Sequence, residues 1–207
     1  MIGRLLKNKE HRKKIIEQIS FITSCIFGAF NVSLWIISKS VWYLMLSVYY
    51  VALALARGSI FLQRRRRQSK IKELKLYRNS GIFLLIMNFA VGVSALITVF
   101  FETKFKYSGV FVYGAAIYTA FKISFAIINI SKIQGTNNYL ELSYRSINLV
   151  DGSFSIFALQ AGLVYQFSEN ANELSLPNLI TGSFVVLFGF ALGIFMLIRA
   201  KKEIRNK

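Results

Sequence analysis

Six apolar stretches, each close to 20 residues long, constrain this chain more than any other feature it has. A helix rises about 1.5 Å per residue and the hydrocarbon core of a bilayer is about 30 Å thick, so about 20 apolar residues make one crossing. In hydrocarbon every backbone N–H and C=O must be satisfied within the protein, which makes a run of this length helical. The stretches predict spans over 15–37, 41–62, 81–101, 108–130, 146–167 and 180–198. They take up most of the 207 residues and leave no room for a soluble domain. The expected fold is all-α: a single domain over 1–207, polytopic, built as a bundle of six transmembrane helices.

The loops between the spans alternate in basicity. Counted outside the spans, 21 Lys and Arg fall on one side: the N-terminal segment, the loops after the second and fourth helices, and the C-terminal tail. The other side carries only Lys39, Lys104 and Lys106. The bias of Lys and Arg toward the cytoplasm therefore predicts both termini inside, in the plasma membrane. Trp35 and Trp42 flank the first outer turn, Ser38-Lys39-Ser40, where an interfacial aromatic belt belongs. A net charge of +17 would suggest a nucleic-acid partner in a soluble protein. Here the basic residues sit beside membrane spans, so orientation and anionic lipid explain them and no nucleic acid is expected. The run Arg64, Arg65, Arg66 and Arg67 is the expected contact with anionic lipid at the cytoplasmic face.

Chemistry-bearing motifs are sparse. Cys25 is the only cysteine and His11 the only histidine, which excludes an intrachain disulfide or a Cys/His zinc site. Ile22-Thr23-Ser24-Cys25 loosely resembles a lipoprotein cleavage box. The preceding apolar run is short and holds Glu17 and Gln18, so a retained signal anchor serving as the first helix is expected instead. No phosphate-binding Gly-rich loop, His-based metal set or Ser/His pair is present. The expectation is a protein that is not an enzyme and binds neither cofactor nor metal.

The informative residues are those that are costly in lipid. An ionisable side chain at the bilayer centre costs about 2.5–3.5 kcal/mol on insertion scales. Glu17, Arg57, Lys122 and Asp151 lie within the spans or at their inner edge, and all four fall in the cytoplasmic half. Two cations and two anions at similar depth can neutralise one another. Helical spacing adds neighbours: Glu17, Ser20, Ser24, Gly28 and Asn31 share one face of the first helix, and Tyr118 stands one turn from Lys122 on the fourth. The plain alternatives are snorkelling of Arg57 or Lys122 to the inner interface, a purely structural ion pair, and interhelical bonding by Asn31, Asn88 and Gln160. In the fifth helix Asn148, Asp151, Gly152, Ser155 and Gly162 occupy one side and Ser153 and Gln160 another, which predicts a central position. The sixth carries Gly189 and Gly193, a GxxxG spacing that permits close packing either within the chain or in a homodimer.

An aromatic or imidazole ring followed by Arg enters each odd-numbered helix, at His11-Arg12, Tyr77-Arg78 and Tyr144-Arg145. One reading is three helical-hairpin repeats; the other is that inner interfaces favour such residues anyway. The set Trp42-Tyr43, Tyr49-Tyr50, Arg57, Tyr77-Arg78, Tyr113, Tyr118, Lys122, Asn129, Ile147-Asn148-Leu149 and Ala158-Leu159-Gln160 resembles a group of uncharacterised small multi-pass membrane proteins of Gram-positive bacteria. The resemblance implies six helices in a bacterial plasma membrane and no known activity.

Two functions fit these residues ahead of a third, a membrane-embedded enzyme acting on lipid, which the missing His or metal set holds back. One is a small transporter or channel-like protein for an anionic or zwitterionic solute, with Arg57, Lys122 and Asp151 in the pathway and Tyr118 and Gln160 as its polar lining. The other is a non-catalytic accessory or scaffold subunit of a membrane complex, in which the charges only lock helices together. Homo-oligomers or a membrane partner protein are compatible with either.

Overall fold

The computed structural model describes residues 2–65, 69–100, 116–117, 119–124, 126, 138–167 and 171–205. Among these, all regular structure is helical: α1 (Ile2–Ser38), α2 (Val41–Arg65), α3 (Lys70–Phe100), α4 (of which 116–117, 119–124 and 126 are described), α5 (Tyr139–Phe167) and α6 (Ala171–Arg205). Among the described residues, α1, α2, α3, α5 and α6 each contain a stretch long and apolar enough to cross a membrane. The expected spans 15–37, 41–62, 146–167 and 180–198 fall inside these helices, as does 81–100, while residue 101 and most of 108–130 lie outside the described residues.

The helices run on past the apolar stretches. α3 begins at Lys70 rather than near Gly81, α5 at Tyr139 rather than near Ser146, and α6 ends at Arg205. These segments at the starts of α3 and α5 and the end of α6 are rich in Lys, Arg, Glu and Leu and hold neither Gly nor Pro, so nothing local stops the helix at the edge of the apolar run. Asn138 caps α5 by accepting the Glu141 backbone N–H at 3.0 Å. At the other end of the chain's last hairpin, Pro177 lies inside α6 and not in a loop, because α6 already begins at Ala171.

The chain divides into two compact units, Met1–Gln68 and Ser69–Lys207. The first is a hairpin of α1 and α2. Lys39 turns the chain at φ 53°, and its N–H bonds the Trp35 carbonyl at 2.8 Å, closing α1 with a left-handed residue. The two helices then run antiparallel. Gly28 faces Tyr50 and Val51, Phe27 and Tyr50 pack with ring centroids 5.5 Å apart, and Phe21 lies on Gly58. From Ile15 onward, α1 exposes Ile15, Ile19, Ile22, Ile26 and Phe30.

In the second unit α3 and α6 form an antiparallel pair at close range. A Cβ built on Gly193 would stand 2.8 Å from Leu85 and 3.3 Å from the Gly81 carbonyl, and one on Gly81 would stand 3.1 Å from Met196. α5 lies parallel to α3, with Tyr77 and Tyr139 packed ring to ring at 5.7 Å. It runs antiparallel to α6 and to the described part of α4. Directions thus alternate from α3 to α6. Among the described residues α5 touches three helices and α6 two. Within α5's apolar span 56% of residues are buried, against 28% for α6. Its central place in this unit follows from polar groups on two faces, which need protein around them.

Candidate functional site

A nearly buried ion pair joins α4 to α5. Lys122 Nζ lies 2.7 Å from Asp151 Oδ1, and both side chains are nearly excluded from the surface, at 11% and 3% exposure. The backbone geometry that permits this comes from small residues. A Cβ on Gly152 would meet Ala126 at 3.1 Å, so glycine there lets the helices approach closely enough for a lysine and a short aspartate to meet directly. One turn further along, Thr119 donates to the Ser155 carbonyl at 3.4 Å, and the Ser155 hydroxyl bonds the Asp151 carbonyl at 2.8 Å. The contact face is therefore Thr119, Lys122 and Ala126 against Asp151, Gly152 and Ser155.

Gln160, about two and a half turns beyond Asp151 on α5, bridges to α6 with both ends of its amide. Nε2 donates to the Pro177 carbonyl at 2.9 Å and Oε1 accepts from Thr181 Oγ1 at 2.5 Å. It thereby ties α5 to α6. Tyr118 lies outside the described residues.

Glu17 and Arg57 belong to the first unit. Arg57 is buried, and its Nη1 donates to the Ser24 hydroxyl and to the Ser20 carbonyl at 3.3 Å. Ser24 in turn donates to the Ser20 carbonyl at 2.9 Å. The Glu17-Ser20-Ser24-Gly28-Asn31 face of α1 thus turns toward α2, as its spacing predicts. Glu17 pairs with Arg64 at 2.8 Å, and Arg64 keeps only 17% exposure. α2 continues helically to Arg65, which brings Arg64 level with Glu17. The side chain of Arg65 and all of Arg66 and Arg67 lie outside the described residues.

The GxxxG glycines also find a partner within the chain. Gly193 packs on Leu85 and Gly81 of α3, and a Cβ on Gly189 would fall inside the Asn88 carboxamide. A buried pair that the spacing alone did not single out is Glu141–Arg145, one turn apart on α5. The i, i+4 spacing is the signal that could have found it; the segment lies before the apolar run, where hydropathy alone predicts a loop. Among the described residues no group of three His, Cys, Asp or Glu side chains could hold a metal ion.

Compared with known proteins, the chain matches no family profile, no curated protein and no solved structure.

Proposed function

We propose that this chain is a non-catalytic structural or accessory subunit in the plasma membrane, with both termini in the cytoplasm, whose buried charges and amides hold helices together. The observation that carries this reading is the Lys122–Asp151 pair. Each charge is answered by the other at 2.7 Å, and the small residues around them close the two helices over the pair. Gln160 likewise spends donor and acceptor on α6. A solute site would hold such groups ready for the solute.

A second reading, a transporter for an anionic or zwitterionic solute, draws on the same pair. A zwitterion presents one ammonium and one carboxylate, and could replace each partner of the pair with its own group. Reconstitution in vesicles separates the two. Wild type and Lys122→Met/Asp151→Leu would be compared for uptake of labelled amino acids and organic anions, and for comigration with other membrane proteins on native gels. The structural reading expects no uptake above empty vesicles from either protein and a comigrating complex in both. Solute-specific uptake by wild type that the double variant loses would replace it with transport.

A further inference from the structure

The exposed apolar stripes of α3 and α6 end in basic residues that continue the same stripe. On α3, Ile82, Ile86, Phe89, Val93 and Leu96 are all exposed and recur every three or four residues, so they mark one face. Followed back toward the start of the helix, that face continues at Arg78 and Lys75, both exposed. On α6 the exposed residues Ile180, Phe184, Leu187, Ile194 and Ile198 mark one face by the same period. Followed toward the end of the helix, it continues at Lys201 and Arg205, also exposed. Because α3 and α6 pack antiparallel through Gly81, Gly193 and Met196, the start of one and the end of the other lie at the same end of this unit.

Depth then decides what these side chains meet. Arg78 stands four residues beyond Ile82, about 6 Å along the axis, and Lys201 three beyond Ile198, about 4.5 Å. Lys75 and Arg205 lie about 10 Å from the same apolar residues. The polar layer of one leaflet is about 5–8 Å thick, taking about 30 Å of core from 40–45 Å in all. Long basic side chains on a face whose apolar part is covered by acyl chains are thus placed at the phosphates of the same lipids.

From this register and depth we infer that Lys75, Arg78, Lys201 and Arg205 form a two-helix collar that binds anionic phospholipid headgroups, separately from the Arg64–Arg67 run. The collar reads one chemistry, a phosphate at the head of an acyl chain seated on the stripe above it. It differs from a diffuse basic tail, because the four charges are fixed in register with two apolar stripes.

The test uses the full chain purified in a neutral detergent. Lys75→Gln/Arg78→Gln/Lys201→Gln/Arg205→Gln would be compared with wild type for retention of phosphatidylglycerol, phosphatidylcholine and single-stranded RNA, by native mass spectrometry and by thermal shift. Since the substituted positions are exposed, the variant is expected to keep its fold, which its melting temperature without lipid checks. An independent variant, Lys201→Gln/Arg205→Gln, covers the case in which the fourfold change fails to fold. Phosphatidylglycerol should bind wild type in preference to phosphatidylcholine and raise its melting temperature. The fourfold variant should bind it at least tenfold more weakly, since each basic residue near an anionic surface is worth about fivefold. Equal phosphatidylglycerol binding by wild type and both variants would overturn the inference. So would RNA binding to wild type without any preference among the two lipids.

Discussion

Replacing Gly189 with Ala should destabilise the α3–α6 pair, and the loss should depend on Asn88. Asn88 is 1% exposed, and its Nδ2 donates to the Leu84 carbonyl of its own helix at 2.8 Å. Its Oδ1 has no hydrogen-bond partner among the described residues. The carboxamide fills the space that a Cβ on residue 189 would take. An added methyl must therefore push Asn88 off its rotamer and off its bond to Leu84. Overpacking a closely packed site costs about 1–3 kcal/mol, and the lost hydrogen bond adds about 1 kcal/mol. The higher helix propensity of Ala returns about 1 kcal/mol. The net expectation for Gly189→Ala is a loss of about 1–3 kcal/mol. Asn88→Ala alone should cost less, because it removes a buried acceptor that has no donor. In the double variant the methyl added at position 189 enters the space the amide has left, so the second change should cost little or help. Reversible unfolding in mixed micelles, followed by circular dichroism over a denaturing detergent series, would give all four corners of the cycle. Additive losses, or a neutral Gly189→Ala in the presence of Asn88, would refute the packing assigned to this contact.

Three further outcomes follow from the same geometry. Lys39→Gly should stabilise the α1–α2 hairpin by about 0.5–1 kcal/mol, because a left-handed backbone costs a residue with a Cβ about 1–2 kcal/mol. The Lys39 ammonium over the Trp35 ring, 5.8 Å from its centroid, returns part of that and should make the gain smaller than the full cost; the same unfolding assay checks it, with Lys39→Val expected to lower stability. Gln160→Leu should cost about 1–2 kcal/mol, since it removes two interhelical hydrogen bonds at about 0.6 kcal/mol or more each and leaves Thr181 to find a new acceptor; an unchanged unfolding midpoint would contradict the clamp. In a Cys25→Ser background, Ser38→Cys should react with an impermeant thiol reagent in intact cells and Ser69→Cys should not, and the reverse pattern would invert the proposed orientation.

Much of the architecture was readable from residues because lipid imposes strict demands. Backbone groups cannot go unsatisfied, so the apolar runs had to be helices, and their described parts are. The same demand turned Ser24, Gly28 and Asn31 toward α2, buried Asp151 and gave the half-buried Gln160 partners on α6. Partner choice was less readable. Glu17 meets Arg64, whose place in a run of arginines points to lipid, because a helix does not stop where hydropathy falls. That same continuation brought Glu141 and Arg145 into a buried helix and put Pro177 inside α6. Asn88 and Gly189 each had an assigned tendency, polar bonding and close approach, yet nothing in their spacing said that they meet. Such pairings depend on the relative height and rotation of two helices, which small residues such as Gly81 and Gly193 set only once both helices are in place.

The central claim is that Lys122 and Asp151 serve each other, and their coupling energy tests it most directly. Wild type, Lys122→Met, Asp151→Leu and the double variant would be unfolded under identical micelle conditions at neutral pH. Removing one member of a buried pair leaves an uncompensated charge and costs about 3–5 kcal/mol, whereas replacing both with apolar side chains of similar volume can be nearly neutral. Each single variant should therefore be strongly destabilised and the double variant should recover most of the loss, a coupling of about 2 kcal/mol or more. Single losses that simply add in the double variant would contradict the claim.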